Sequence, residues 1–325
     1  MRFGIIGTNF VTDWLLQAGR QCDGFALTTV YSRDLERARV YAKANGAAYA
    51  TDSLEVLANS PHVDAVYIAS PTALHCEQAV RMLSAGKHVL CEKPVASSRA
   101  ALEAMLAAAS SGAVVMEAMR PAYSPALSRL QAVMPEIGVV RRAGLSMCKI
   151  SSRYDKFRAG EVLNAFNPAL ANGALMDLGV YCVHVMLRLF GAPANVQAAC
   201  VKLHNGIEAS GTILASYTDK VVSLEYSKIT DDRQACAIHG EDGSIYFSDV
   251  STLRDIRLAR RGADMETIEN PVAEHDMVYE LEAFMRLAQS PADMRRENAY
   301  SLEAMRILDA VRKQCDIRFA PNEVL

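Results

Sequence analysis

The first 120 residues alternate between short β-branched runs and stretches with helical spacing. Residues 2–7 read as a strand, and residues 9–20 then place apolar side chains at Phe10, Val11, Trp14, Leu15 and Ala18, the recurrence of an amphipathic helix. Residues 25–31 return to strand. Residues 34–45 predict a helix with Asp34 in its first turn and Gly46 just past its end. The alternation continues as a buried strand over 64–69, a helix over 72–85 closed by Gly86, and a strand over 88–91. An alanine-rich helix over 97–111 closed by Gly112 and a strand over 114–116 complete it. Repeated strand–helix units of this length imply parallel strands joined by right-handed crossovers, and hence a doubly wound α/β Rossmann domain.

Beyond Met119 the rhythm changes. Residues 121–134 and 174–190 read as helices. Strand-like runs occupy 139–150, 196–203, 212–216, 221–226, 235–239, 244–247 and 253–259, punctuated by turns such as Glu241-Asp242-Gly243 and Arg261-Gly262. Consecutive strands without helices between them imply a largely antiparallel sheet. Two helices follow, over 276–288 and 299–314. The expected organisation is a Rossmann domain over 1–120 and an α+β domain over 121–325, the last helix packing back on the first domain.

Size and composition suit this picture. A chain of 325 residues exceeds one small core, and 51% hydrophobic with 22% charged residues fits two buried cores. A net charge of −3 and a pI near 6.2 argue against a nucleic-acid or anionic-membrane partner, which calls for a basic face. No apolar run is expected to reach the ~20 residues of a membrane span. The opening MRFGIIGTNF reads as a strand and not as a targeting signal. Eight scattered cysteines without a Cys-x-x-Cys pair suit reduced thiols in a cytoplasmic protein, and no metal site is expected.

The first strand runs into Gly7-Thr8-Asn9-Phe10-Val11-Thr12. A dinucleotide fingerprint starting at Gly7 requires glycines at 9 and 12, where Asn9 and Thr12 stand. Asn accommodates a left-handed backbone better than most residues, and the following helix can offer N–H groups to a pyrophosphate. Gly7, Thr8, Asn9 and Phe10 are therefore candidate cofactor contacts; the alternative is a strand–helix turn that binds no nucleotide. Some twenty residues on, the second strand ends in Ser32-Arg33 where an NAD enzyme carries an acid. A hydroxyl and a guanidinium there suit the 2′-phosphate of NADP, with NAD as the less favoured cofactor. Another strand ends in Glu92-Lys93-Pro94, at the sheet edge where open α/β folds bind ligands. Lys93 can hydrogen-bond a substrate oxygen and stabilise charge at the reacting carbon. Ser70, Pro71, Thr72 and His75 follow the preceding strand in the same position and are candidates for the nicotinamide side. In the second half, Asp177 and Tyr181 stand four apart on one helix, with His184 and Arg188 beyond them.

The segments GIIGT, YSR, SPTALH, CEKP and GALMDLGVY, in this spacing over nearly the whole chain, resemble the glucose–fructose oxidoreductase/inositol dehydrogenase family (Gfo/Idh/MocA), nearest its dihydrodiol dehydrogenase-like branch. The resemblance implies a second domain with an open sheet that often serves for oligomerisation, here a homodimer. It also implies hydride transfer between nicotinamide and a hydroxyl-bearing carbon of a sugar, cyclitol or dihydrodiol. By the same likeness Tyr181 is the general acid/base, Asp177 orients Lys93 or the substrate, and a nearby Lys93 ammonium lowers the phenol from its usual pKa of about 10. Glu92 and Glu117 fall on the cofactor side, and Arg120, Asn167 and His184 on the substrate side. Arg153 suits an acidic or polyhydroxylated ligand. The reading that competes with an enzyme is a non-catalytic NADP-binding sensor.

Overall fold

The computed structural model describes residues 1–109 and 112–319. Contacts within the chain define two compact units, Met1–Ala118 with Ala273–Leu302, and Met119–Val272 with Glu303–Leu325.

In the first unit, β1 (Arg2–Ile6), β2 (Ala26–Tyr31), β3 (Tyr49–Thr51), β4 (Ala65–Ile68), β5 (His88–Glu92) and β6 (Val115–Ala118) form one sheet in the order β3-β2-β1-β4-β5-β6. Every pairing is parallel. All four residues of β4 and of β6 are buried, as a sheet covered on both faces requires. Helices α1 (Phe10–Gly19), α2 (Leu35–Asn45), α3 (Leu54–Ala58), α4 (His75–Ser84) and α5 (Arg99–Ala108) make the connections. The sequence pattern does not reveal β3 and α3, because three and five residues are too few to display a period. Asp34 proves to be the N-cap of α2, accepting from the N–H groups of Glu36 and Arg37, and Gly46 ends the helix at φ 75°. The helix expected over 72–85 begins as a 3₁₀ turn, Thr72–Leu74. The expected end of α5 at 110–111 lies outside the described residues.

Two later segments complete this unit. A helix over Met277–Leu287 sets the ring of Phe284 5.9 Å from that of Phe3. The long C-terminal helix runs Pro291–Gln314, starting eight residues before its expected position with proline in the first turn, where a missing N–H costs nothing. From its first half, Asn298 donates to the Val115 carbonyl (3.0 Å) and Ser301 to the Glu117 carboxylate (2.6 Å).

Among the described residues the second unit holds eight strands: β7 (Val140–Cys148), β8 (Asn195–Lys202), β9 (Glu208–Ser216), β10 (Val221–Ser227), β11 (Cys236–Gly240), β12 (Gly243–Phe247), β13 (Arg257–Arg260) and β14 (Met265–Thr267). Their order is β14-β13-β12-β11-β7-β10-β9-β8. Only β7 and β10 pair in parallel; the other neighbours are antiparallel. The strand expected over 253–259 starts only at Arg257, because Leu253 and Asp255 both take φ 53° and break the extended run. Beside the sheet lies a helix whose Val180–Leu187 residues are all buried. The expectation that no run reaches spanning length is corrected here. Pro168–Phe190 is long and apolar enough to cross a membrane by composition, but 78% of its most apolar window is buried inside the protein. A helix apolar on every side belongs in a core as readily as in a bilayer.

The hydroxyl of Ser301 is a donor to a carboxylate only 2% exposed. Ser301→Ala is expected to lower unfolding free energy by about 1–3 kcal/mol, measured by urea denaturation of the full chain.

Candidate functional site

Strand order reverses between β1 and β4, whose connections leave on opposite sides of the sheet; the crevice beyond their carboxyl ends is where such sheets take ligands. Gly7 turns the chain there at φ 107°, and a Cβ on it would lie 2.7 Å from the Ala69 oxygen and 2.9 Å from its carbon. Only glycine fits. Asn9 is not left-handed, contrary to the reason the sequence suggested for it. It is extended (φ −106°, ψ 176°) and caps α1, accepting from the N–H groups of Val11 (2.9 Å) and Thr12 (3.3 Å). Its amide also donates to the Ala69 carbonyl at 2.8 Å. Asn9 thus takes two of the N–H groups that an anion would otherwise share, and straps the turn to the end of β4. Thr12 is fully buried and donates to the Gly7 carbonyl (3.0 Å), so it serves the close helix–strand packing of the glycine it replaces. Phe10 is exposed, its ring edge-on to Trp14 at 5.0 Å.

At the end of β2, Arg33 is exposed, and the hydroxyl of Ser32 accepts from the Asp34 N–H (3.3 Å). One turn into α2, Arg37 donates from Nε to the Thr8 hydroxyl (2.7 Å) and from Nη2 to the Thr8 carbonyl (3.2 Å). Two guanidiniums therefore flank the phosphate-binding turn on its β2 side. Arg37 carries no sequence motif; only the folding of α2 against the turn brings it there. The glycine with no room for a Cβ, and the arginine pair where an acid would stand in an NAD enzyme, fit an NADP cofactor.

The next two strand ends are tied together. His75 is 1% exposed, with Nδ1 3.0 Å from the Pro94 carbonyl and Nε2 2.8 Å from the Ser70 carbonyl. Burial pushes its pKa down while the two carbonyls oppose that shift, and the ring braces the two loops. Both of its ring nitrogens therefore face backbone carbonyls. Ser70 donates to Gln78 (2.6 Å), Pro71 precedes the 3₁₀ turn, and Thr72 is buried. Glu92 accepts from the Tyr67 hydroxyl (2.6 Å) and from the Lys93 N–H (3.2 Å). Lys93, half-buried, leaves β5 through a cis peptide bond to Pro94. Glu117, expected on the cofactor side, is sunk behind this loop. It accepts from the Val95 N–H (3.1 Å) and from Ser301, so it holds the chain that follows Lys93.

In the second unit, Asp177 and Tyr181 do share one helical run, but it opens with a π turn, Leu175–Gly179, in which the Val180 N–H reaches back five residues to Leu175. Such wide turns concentrate at functional sites. Tyr181 is 6% exposed and His184 1%, so both stand in the body of the unit, whereas the Asp177 side chain is 41% exposed. Arg120 opens a four-residue helix, Arg120–Tyr123, and is half-buried. Asn167 caps a 3₁₀ turn, accepting from the Ala169 N–H (3.1 Å). Arg153 immediately precedes a short helix, Tyr154–Arg158, that stacks Tyr154 and Phe157 on Phe166. Two charged residues here have no counterpart in any sequence motif. Lys228 sits 3.3 Å from the Asp177 carboxylate, and Glu208 accepts from the Leu175 N–H (2.9 Å) at the start of the π turn. Among the described residues no group of three metal-ligating side chains converges.

Comparison with known proteins gives these features a lineage. Residues 1–119 match the GFO/IDH/MocA oxidoreductase family with its NAD-binding Rossmann fold, and residues 146–246 match the GFO/IDH/MocA C-terminal domain. The chain is 42% identical to scyllo-inositol 2-dehydrogenase (NADP(+)) IolU of Bacillus subtilis, with 99% of each chain covered. It is 30% identical to trans-1,2-dihydrobenzene-1,2-diol dehydrogenase of Oryctolagus cuniculus over 74% of this chain and 71% of that one. KijD10, a 3-ketoreductase from Actinomadura kijaniata solved with NADP and TDP-benzene, shares the fold, with a TM-score of 0.85 at 23% identity over 97% of this chain and 98% of that one. With both domains matched and identity sustained from end to end, the chain belongs to the Gfo/Idh/MocA family of NAD(P)-dependent oxidoreductases, as its strand-end motifs implied.

Proposed function

We propose that this oxidoreductase uses NADP to interconvert a ring hydroxyl and the corresponding ketone of a cyclitol or a closely related polyhydroxylated ring. The observation that carries the reading is the end-to-end likeness, at 42% identity, to an NADP-dependent scyllo-inositol dehydrogenase. Gly7, Thr8 and the Asn9-capped helix would hold the pyrophosphate, and Ser32, Arg33 and Arg37 the 2′-phosphate. Bound there, the cofactor supplies the acceptor or donor of hydride. The chain's own part is the proton and the developing oxyanion. In the oxidative direction the Tyr181 phenolate takes the hydroxyl proton, and the Lys93 ammonium hydrogen-bonds the same oxygen as charge builds on it. The Asp177 carboxylate orients substrate or lysine. Arg120, Asn167 and His184 line the substrate side in this reading.

The proposal extends to a cytoplasmic homodimer. Eight free cysteines support a reducing compartment. On the outer face of β8, β9 and β10, Val201, Leu214 and Val221 are exposed, which supports a second copy covering that face.

Lys93→Met and Tyr181→Phe are each expected to lower kcat with scyllo-inositol and NADP by ~10²–10⁴-fold while NADPH affinity stays within about threefold. An undiminished kcat in either variant removes that residue from the chemistry. Replacing Arg33 and Arg37 together by alanine should weaken NADPH binding ~10–100-fold in a fluorescence titration and leave NADH binding nearly unchanged. Equal losses for both cofactors would refute the 2′-phosphate assignment. Light scattering on a sizing column should return twice the 35.4 kDa chain mass; a monomer at micromolar concentration would end the dimer reading.

A further inference from the structure

The second unit buries an ammonium that the reaction as derived above does not use. Lys228 follows β10 directly and is 1% exposed. Its backbone is pinned on both sides, its N–H donating to the Ala209 carbonyl and its carbonyl accepting from the Ser151 N–H, each at 2.9 Å. The side chain runs into the aromatic cluster around Phe157 and Phe166, with Nζ 5.3 Å from the centre of the Phe166 ring. There Nζ donates to the Ala165 carbonyl (2.9 Å) and lies 3.3 Å from Oδ2 of Asp177. An ammonium taken out of water is costly unless an opposite charge and hydrogen bonds meet it. A methionine or leucine would fill this apolar volume without that cost, so the charge calls for an explanation beyond packing.

Its surroundings supply one. Asp177 is the partly exposed partner and Lys228 the buried one, so the lysine holds the carboxylate from its buried side. The same Nζ anchors the carbonyl of Ala165, two residues before Asn167. A second buried group, the Glu208 carboxyl, whose pKa burial pushes up to about 7, fixes the other end of this arrangement. Its Oε2 accepts from the Leu175 N–H and lies where a Cβ on Gly173 would come within 2.8 Å, and Gly173 itself takes φ 151°. The π turn is thereby held at its first residues by Glu208, and Asp177 within it by Lys228.

We infer that Lys228 is a positioning residue for the dehydrogenase site, acting through the carboxylate of Asp177; the inference rests on the function proposed above. The test is a double-mutant cycle on the full chain with Lys228→Met, Asp177→Asn and both together, assayed with scyllo-inositol and NADP beside NADPH titration and thermal melting. Lys228→Met is expected to lower kcat ~10–100-fold, the scale of a misplaced reacting group, with NADPH affinity within about twofold. Added to Asp177→Asn, it should cost little more, because its effect passes through that carboxylate. Asp177→Asn alone should lower the melting temperature, since it leaves a buried ammonium without the opposite charge of this carboxylate, and Lys228→Met should restore it. A Lys228→Met enzyme with undiminished kcat overturns the inference. Losses that multiply in full in the double variant, or an Asp177→Asn melting temperature that does not fall, do so as well; the last holds even if Lys228→Met fails to fold. If Asp177→Asn and Tyr181→Phe both keep full activity, it is the proposed function that fails, a result distinct from any of these.

Discussion

The carbonyl of Ala69 governs how the chain leaves its first strand. Gly7 comes so close to it that no side chain fits, and Asn9 donates its amide to the same oxygen. This one acceptor, at the end of β4, clamps the β1–α1 turn across the point where strand order reverses. A dinucleotide fold needs its backbone close to the pyrophosphate at this place, and two further glycines are the usual means. Here a capping asparagine and a buried threonine stand in their places and hold the turn by hydrogen bonding, which leaves two N–H groups bonded to Asn9.

The remaining strand ends follow a similar logic. The loops after β4 and β5 are held by polar groups, His75 and Glu117 among them buried, with partners supplied by backbone or hydroxyl. His75 spans Ser70 and Pro94, Glu92 takes Tyr67, and Glu117 takes Val95 and Ser301. Burying such groups is tolerable only when they are bonded, and once bonded they resist displacement. Lys93 therefore emerges from a strand end with its neighbours fixed before and after it. In the second unit Glu208 and Lys228 play this part around the π turn. Pre-organisation of this kind matters for a reaction whose barrier depends on where a proton acceptor and a hydrogen-bond donor sit.

Local sequence determined a good deal. Strand–helix alternation with glycines at helix ends established a parallel doubly wound sheet, because residues three to four apart share a helix face and residues two apart share a strand face. The same local reading placed Gly7, Ser32, Arg33, Lys93, Asp177 and Tyr181 at strand ends or on one helix. Short elements such as β3 and α3 escaped it because they hold less than a period. The break before β13 escaped because positive φ at Leu253 and Asp255 leaves no compositional trace. The early start of the long C-terminal helix escaped because its polar opening turns show no apolar stripe.

Tertiary structure alone decided the residues that act from a distance in sequence. Arg37 reaches Thr8 across 29 positions, Ser301 reaches Glu117 across 184, and Lys228 meets Asp177 only because β10 ends beside the helix that carries it. No period or motif marks these partners, since each is defined by where two remote segments happen to cross. The sequence by itself thus settled the fold class and singled out candidate site residues at strand ends and on one helix, both of which follow short-range rules. The buried groups that aim those residues answer to packing and to the cost of an unpaired charge, and these exist only once the chain has folded.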